Sequence, residues 1–94
     1  MNKQRRQAIR TLIKMLRAPN PDRETILDEL RDLLYEEEDV RDNYPESLQE
    51  SDAYNIMEES CDYLEEAIDE LESMEEEDDD FESVVDILSS IDGV

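Results

Sequence analysis

With one Gly, no Trp and a single Phe in 94 residues, the chain lacks the turn and aromatic material of a β fold, and it is long enough for one domain at most. Nine Lys and Arg stand against 30 Asp and Glu, a formal net charge of −21. That balance excludes a direct role at duplex DNA, RNA or an anionic membrane, because the phosphate-neutralising interaction has the wrong sign, and it favours basic proteins as partners. The charge is also segregated: residues 1–20 carry six basic side chains and no acid, whereas residues 42–94 carry 21 acids and no base.

High net charge with few aromatics is equally the signature of disorder, so the hydrophobic period has to decide. Ile9, Leu12, Ile13 and Leu16 fall at i, i+3, i+4 and i+7, one face of a helix, while Arg6, Arg10 and Lys14 line another. This predicts a basic helix over about 3–17, ended by Pro19. Asn20 as N-cap and Pro21 as first helical residue open a second helix over about 21–40, with Ile26, Leu27, Leu30, Leu33 and Leu34 as its buried stripe. Glu36, Glu37, Glu38 and Asp39 crowd its end, where negative charge opposes the helix dipole. Fraying, or the charge of a partner, is expected there.

Asn43, Pro45 and nearby serines predict a chain reversal with a single helical turn from Pro45 to Gln49. The third helix, about 52–75, is the longest: Ala53, Met57, Ser60, Leu64, Ala67, Leu71 and Met74 alternate steps of four and three like a coiled coil, with Ile56, Tyr63 and Ile68 widening the stripe. The run Glu75 to Asp80 has no apolar residue and reads as a loop; Phe81, Val84, Val85, Leu88 and Ile91 then give a short fourth helix over 81–91, closed by Gly93. The expected fold is all-α, a helical hairpin or small bundle of three to four helices. It forms a single domain over 1–94, with a basic helix (1–18), an acidic hairpin (19–74) and an acidic loop with a short helix (75–94).

Catalysis has little to stand on. There is no His, and the one cysteine, Cys61, lies among acids that raise a thiol pKa, so neither Ser/His nor Cys/His chemistry assembles and no enzyme is expected. No cofactor is implied. The EEEDDD run lacks the alternating oxygens and central Gly of a calcium loop, so no metal site is expected either. A lone cysteine fits the cytoplasm, and no stretch reaches the roughly 18 apolar residues of a membrane span. The apolar run near the start is broken by Lys14 and Arg17, which argues against a signal peptide.

The third helix carries the main candidate site. With Met57, Leu64 and Leu71 turned inward, Glu58, Glu59, Asp62, Glu65, Glu66, Asp69 and Glu72 share the outward face. The seven span roughly 20 Å of axis at about 1.5 Å per residue, a charge every ~3 Å, close to the ~3.4 Å charge spacing of a single nucleic-acid strand. Asp78, Asp79 and Asp80 extend the anionic surface. A solvated helix face ordinarily mixes Lys with Glu for i,i+4 support, and here no Lys appears. The basic first helix has two readings, internal relief of repulsion or an arm for an anionic partner, of which the first is preferred.

DNYPESLQESDAY followed by EESCDYLEEAIDELES, within residues 42–73, resembles a group of small acidic helical proteins of uncharacterised type from bacteriophages and mobile elements of Gram-positive bacteria, in which a D-N-x-P-E-x-L-Q turn and an E-E-A-I-D-x-L-E helix recur. The chain departs from them in the APNPD interruption and in its tail from Glu75 to Val94. In size and charge it is also similar to anti-CRISPR and anti-restriction proteins that occupy the DNA site of a host nuclease. The resemblance implies a DNA-mimic inhibitor in the cytoplasm of a bacterial host, with a basic nucleic-acid-binding protein as partner: a CRISPR effector nuclease as first candidate, a restriction enzyme as second. The alternative is a helical adaptor that self-associates through Leu30, Leu34, Leu64 and Leu71. A homodimer is compatible with both, since it doubles the charged surface.

Overall fold

A computed structural model describes residues 1–75 and 80–94 and contains, among them, four α-helices and no strand. They are α1 (Lys3–Leu16), α2 (Arg23–Asp42), α3 (Asp52–Ser73) and α4 (Glu82–Ser89), and a single 3-10 turn, Glu46–Leu48, lies in the predicted reversal between α2 and α3. The all-α expectation holds.

Each start has a local cause. Asn2 accepts a hydrogen bond from the Arg5 amide at 2.8 Å and caps α1; Ser51 accepts from the Tyr54 amide at 3.3 Å and caps α3. The cap of α2 is Asp22 and not Asn20: its carboxylate takes both the Thr25 amide at 3.3 Å and the Thr25 hydroxyl at 2.8 Å, leaving Asn20 and Pro21 in the loop. Asp80 accepts the Glu82 amide at 3.1 Å ahead of α4, and Gly93, at φ 81°, ends that segment in the left-handed region that suits glycine.

Successive helices run antiparallel. Arg23 donates to the Met74 carbonyl and Arg31 to the Glu72 carboxylate, both at 2.8 Å, which pairs the start of α2 with the end of α3. Ser83 bonds Glu70 at 3.0 Å and joins the start of α4 to the end of α3. Arg17 meets Glu82, and Arg10 donates to the Gly93 carbonyl at 2.6 Å, so α1 and α4 lie side by side in opposite directions. α1 packs on α2 and α4, α3 packs on the same two, and α1 and α3 therefore stand across the diagonal. One apolar cluster fills the middle: Ile9, Leu12 and Leu16 from α1, Ile26, Leu30 and Leu33 from α2, Leu64, Ala67, Ile68 and Leu71 from α3, and Val84, Val85 and Leu88 from α4, closed by Phe81 and Ile91.

Three sequence expectations need correction. Leu27 and Leu34 are half-buried flanks of the α2 stripe. Ala53 is exposed, because the first turns of α3 extend past the bundle. The acidic end of α2 does not fray: the helix continues to Asp42, Arg41 in its last turn pairs with Glu38 and Asp42, and Glu37 is fully buried. Beyond the level of Glu37, α2 and α3 continue as a two-helix tip, where Tyr44 and Tyr54 meet with ring centroids 5.8 Å apart. This tip draws the molecule out to 47 × 21 × 18 Å.

Candidate functional site

At 100° per residue, the core residues of α3, from Met57 to Leu71, occupy one half of its wheel, and the carboxylates fall in an arc of about 140° on the other. Glu58, Glu59, Asp62, Glu65, Glu66, Asp69 and Glu72 are all exposed. The inward side explains why the arc is fixed: Leu64, Ala67 and Leu71 have no exposure, and Ser60, inside the stripe, returns its hydroxyl to the Ile56 carbonyl at 2.9 Å. Rotating α3 to hide its acids would expose that whole face.

The seven do not behave alike. Glu72 accepts from Arg31 at 2.8 Å, a cation the sequence pattern did not set beside it, and so belongs partly to the α2–α3 junction. Glu58, Glu59, Asp62, Glu65, Glu66 and Asp69 form no ion pair among the described residues. The open surface is thus six carboxylates over roughly 17 Å of helix, at about 1.5 Å per residue. Of the three further aspartates expected to extend it, Asp80 is exposed and doubles as the acceptor for the first amide of α4, whereas Asp78 and Asp79 lie outside the described residues.

Three cations of residues 1–18 meet partners within the chain. Arg5 meets Glu37 at 3.5 Å, Arg17 meets Glu82 at 3.6 Å, and Arg10 holds the Gly93 carbonyl. None reaches the carboxylates of α3, which lie across the diagonal. The reading of α1 as internal relief of repulsion matches this arrangement.

Glu37 is the residue that sequence reasoning missed. It has no exposure, sits 3.3 Å from the Met1 ammonium and 3.5 Å from Arg5 Nε, and neither of its oxygens accepts a hydrogen bond. A signal was available, since Glu37 follows Leu30 by seven and Leu33 by four and so stands on the apolar stripe of α2. Cys61 is also buried, and that burial pushes its thiol up to about 11, Arg41 only partly offsetting it. A thiol so held is a core group, not a nucleophile.

A cleft of about 650 Å³ opens beside the α1–α2 loop, lined by Pro19, Pro21, Arg23, Arg31, Glu72 and Phe81 among others. Both of its guanidinium groups are committed: Arg31 to Glu72 and Asp28, Arg23 to the Met74 and Glu75 carbonyls and over the Phe81 ring. Among the described residues no cluster of three or more His, Cys, Asp or Glu has metal-binding geometry, and no helix is long and apolar enough to cross a membrane. No family model, curated protein or solved structure matches the chain.

Proposed function

We propose that the protein occupies the nucleic-acid site of a basic, nucleic-acid-binding partner, offering α3 in place of a phosphate strand. The observation that carries this reading is the row of six exposed carboxylates from Glu58 to Asp69, unpaired and backed by a fully buried apolar face. Over the whole molecule, 21 net charges on a 47 Å axis give about one per ~2.2 Å, between the ~1.7 Å of a duplex and the ~3.4 Å of a single strand. A Lys/Arg-lined channel built for phosphates is the surface such a rod fits, and opposite charge would speed the encounter. On the phage resemblance, the partner proposed is a host defence nuclease, a CRISPR effector ahead of a restriction enzyme.

Self-association through Leu30, Leu34, Leu64 and Leu71 gains no support, because Leu30, Leu64 and Leu71 have no exposure and belong to the internal cluster.

The test is affinity capture from a Gram-positive host lysate at low salt, followed by displacement of the captured protein with duplex DNA. The wild-type chain should retain a nucleic-acid-binding enzyme that DNA competes off, and the triple variant Glu58→Lys, Asp62→Lys, Asp69→Lys should retain none. Equal capture by the reversed variant, or a captured protein that DNA does not displace, would remove the reading.

A further inference from the structure

We propose that the groove between α2 and α4, filled by α1, is a receptor for cationic amphipathic helices, and that a basic amphipathic helix of another protein exchanges with α1 there. The groove is distinct from the outward face of α3, and this inference does not rest on the function proposed for that face.

The charge partition comes first. Residues 1–18 carry six cations and no acid, +6, and residues 19–94 carry three cations and 30 acids, −27, which sum to −21. The fold therefore resembles a complex of two oppositely charged pieces joined by a short linker, Arg17–Asp22, with Pro19 and Pro21 in it. The contact itself is a helix laid in a groove: Ile9, Leu12 and Leu16, at i, i+3 and i+7, are the anchors, all at most 3% exposed. The apposition of α2 with α3, and of α3 with α4, does not pass through α1.

The second observation is Glu37. Its carboxylate is fully buried at the end of the groove, accepts no hydrogen bond, and among the described residues is met only by the Met1 ammonium and Arg5 at ion-pair distances. A buried carboxylate left without a cation is strongly unfavourable, so the groove demands a positive group at that end of any occupant. Glu82 and the Gly93 carbonyl set two more positions for cations along it, held in this structure by Arg17 and Arg10. Together these features specify the ligand: a helix with apolar residues at i, i+3 and i+7, Lys or Arg flanking them, a cation at its first turn, and no acid.

The cis occupant competes at the high effective concentration a short linker imposes, so the test loosens it. The probe is a peptide with the sequence of residues 1–18, labelled at its carboxyl end, titrated into the full chain at 0.15 M salt and followed by anisotropy. Binding to the Leu12→Ala chain should be at least about tenfold tighter than to wild type, as the cis competitor weakens. A probe peptide with an acetylated amino terminus and Arg5→Gln, which leaves Glu37 unmet only while the peptide occupies the groove, should bind the Leu12→Ala chain more weakly than the unmodified probe. A peptide of identical composition with its apolar positions scrambled should show no difference between the chains. Arg5→Gln with Arg10→Gln, which keeps every apolar anchor, serves as a second loosened chain whose helicity is checked by circular dichroism. Equal binding to wild-type and loosened chains, or equal binding of the scrambled peptide, overturns the proposal. A loosened chain that dimerises by light scattering and refuses the peptide also overturns it, by giving the groove to α1 of a second copy.

Discussion

Glu37 shows how one side chain can fix the docking of a whole helix. A carboxylate with no exposure, facing the amino terminus of a half-buried Met1 and an Arg5 side chain that is 13% exposed, is tolerable only while the cations stay. Glu37→Gln should therefore cost about 3–5 kcal/mol in urea denaturation, the range for breaking a buried pair by removing one partner. Arg5→Gln should cost less, because the Met1 ammonium remains and Arg5 keeps some water. Leu48→Ala, at a side chain 46% exposed outside the core, should stay within about 0.5 kcal/mol of wild type. Cys61 gives a second check. Its folded thiol holds a proton up to about 11 against an ordinary value of 9.0, so the folded state binds that proton more tightly than the unfolded chain does. The contribution to stability is complete below pH 9 and is lost as pH climbs towards 11. At neutral pH, iodoacetamide should leave Cys61 unmodified in the folded protein and alkylate it in urea.

At the scale of the helix, α2 separates what local pattern can specify from what it cannot. Its cap is testable by titration. The hydrogen bond from the Thr25 hydroxyl, and then that from the Thr25 amide, hold the Asp22 carboxyl below its usual range of 3.8. A depressed pKa stabilises the fold above the unfolded value and ceases to do so as pH falls through the folded one. Asp22→Ala should thus lower the urea midpoint at pH 7, and the gap from wild type should close on acidification below pH 3.8. The helical period was readable in the core, because Ile26, Leu30 and Leu33 on α2, and Leu64, Ala67 and Leu71 on α3, recur at steps of three and four that only one face of a helix satisfies. The choice between Asn20 and Asp22 was not, since both are good caps; Arg23 settles it through the Met74 and Glu75 carbonyls and the Phe81 ring, partners some fifty residues away. The acidic end of α2 misled in part for the same reason: Glu37 is met by Met1 and Arg5 from the other end of the sequence, whereas Arg41, which meets Glu38, is local. On α3 the outward arc of acids was fully visible in the pattern, and only the pairing of Glu72 with Arg31, a contact between helices, was hidden.

Over the whole molecule, a net charge of −21 on a body 21 × 18 Å in section means that folding concentrates like charge, with a screening length of about 10 Å at 0.1 M salt. The +6 of residues 1–18 offsets part of this, and of its contacts that of Arg5 with the buried Glu37 is the one salt screens least. Raising NaCl from low to moderate concentration should therefore raise the melting temperature, while the association proposed for α3 should weaken over the same range. The triple reversal Glu58→Lys, Asp62→Lys, Asp69→Lys separates these effects. Each substitution changes the charge by two, so −21 + 6 gives −15. All three side chains are exposed, and the new Lys at 62 would have Glu59, Glu65 and Glu66 within one helical turn, as the new Lys at 69 would have Glu65, Glu66 and Glu72. Such neighbours contribute about 0.2–0.5 kcal/mol each. The variant should melt higher than wild type at low salt, by a margin that narrows as salt is added, and yet fail to capture a partner. Lost capture in a more stable protein would tie binding to the carboxylates themselves, whereas a lower melting temperature at low salt would show that self-repulsion along α3 is not what limits the fold.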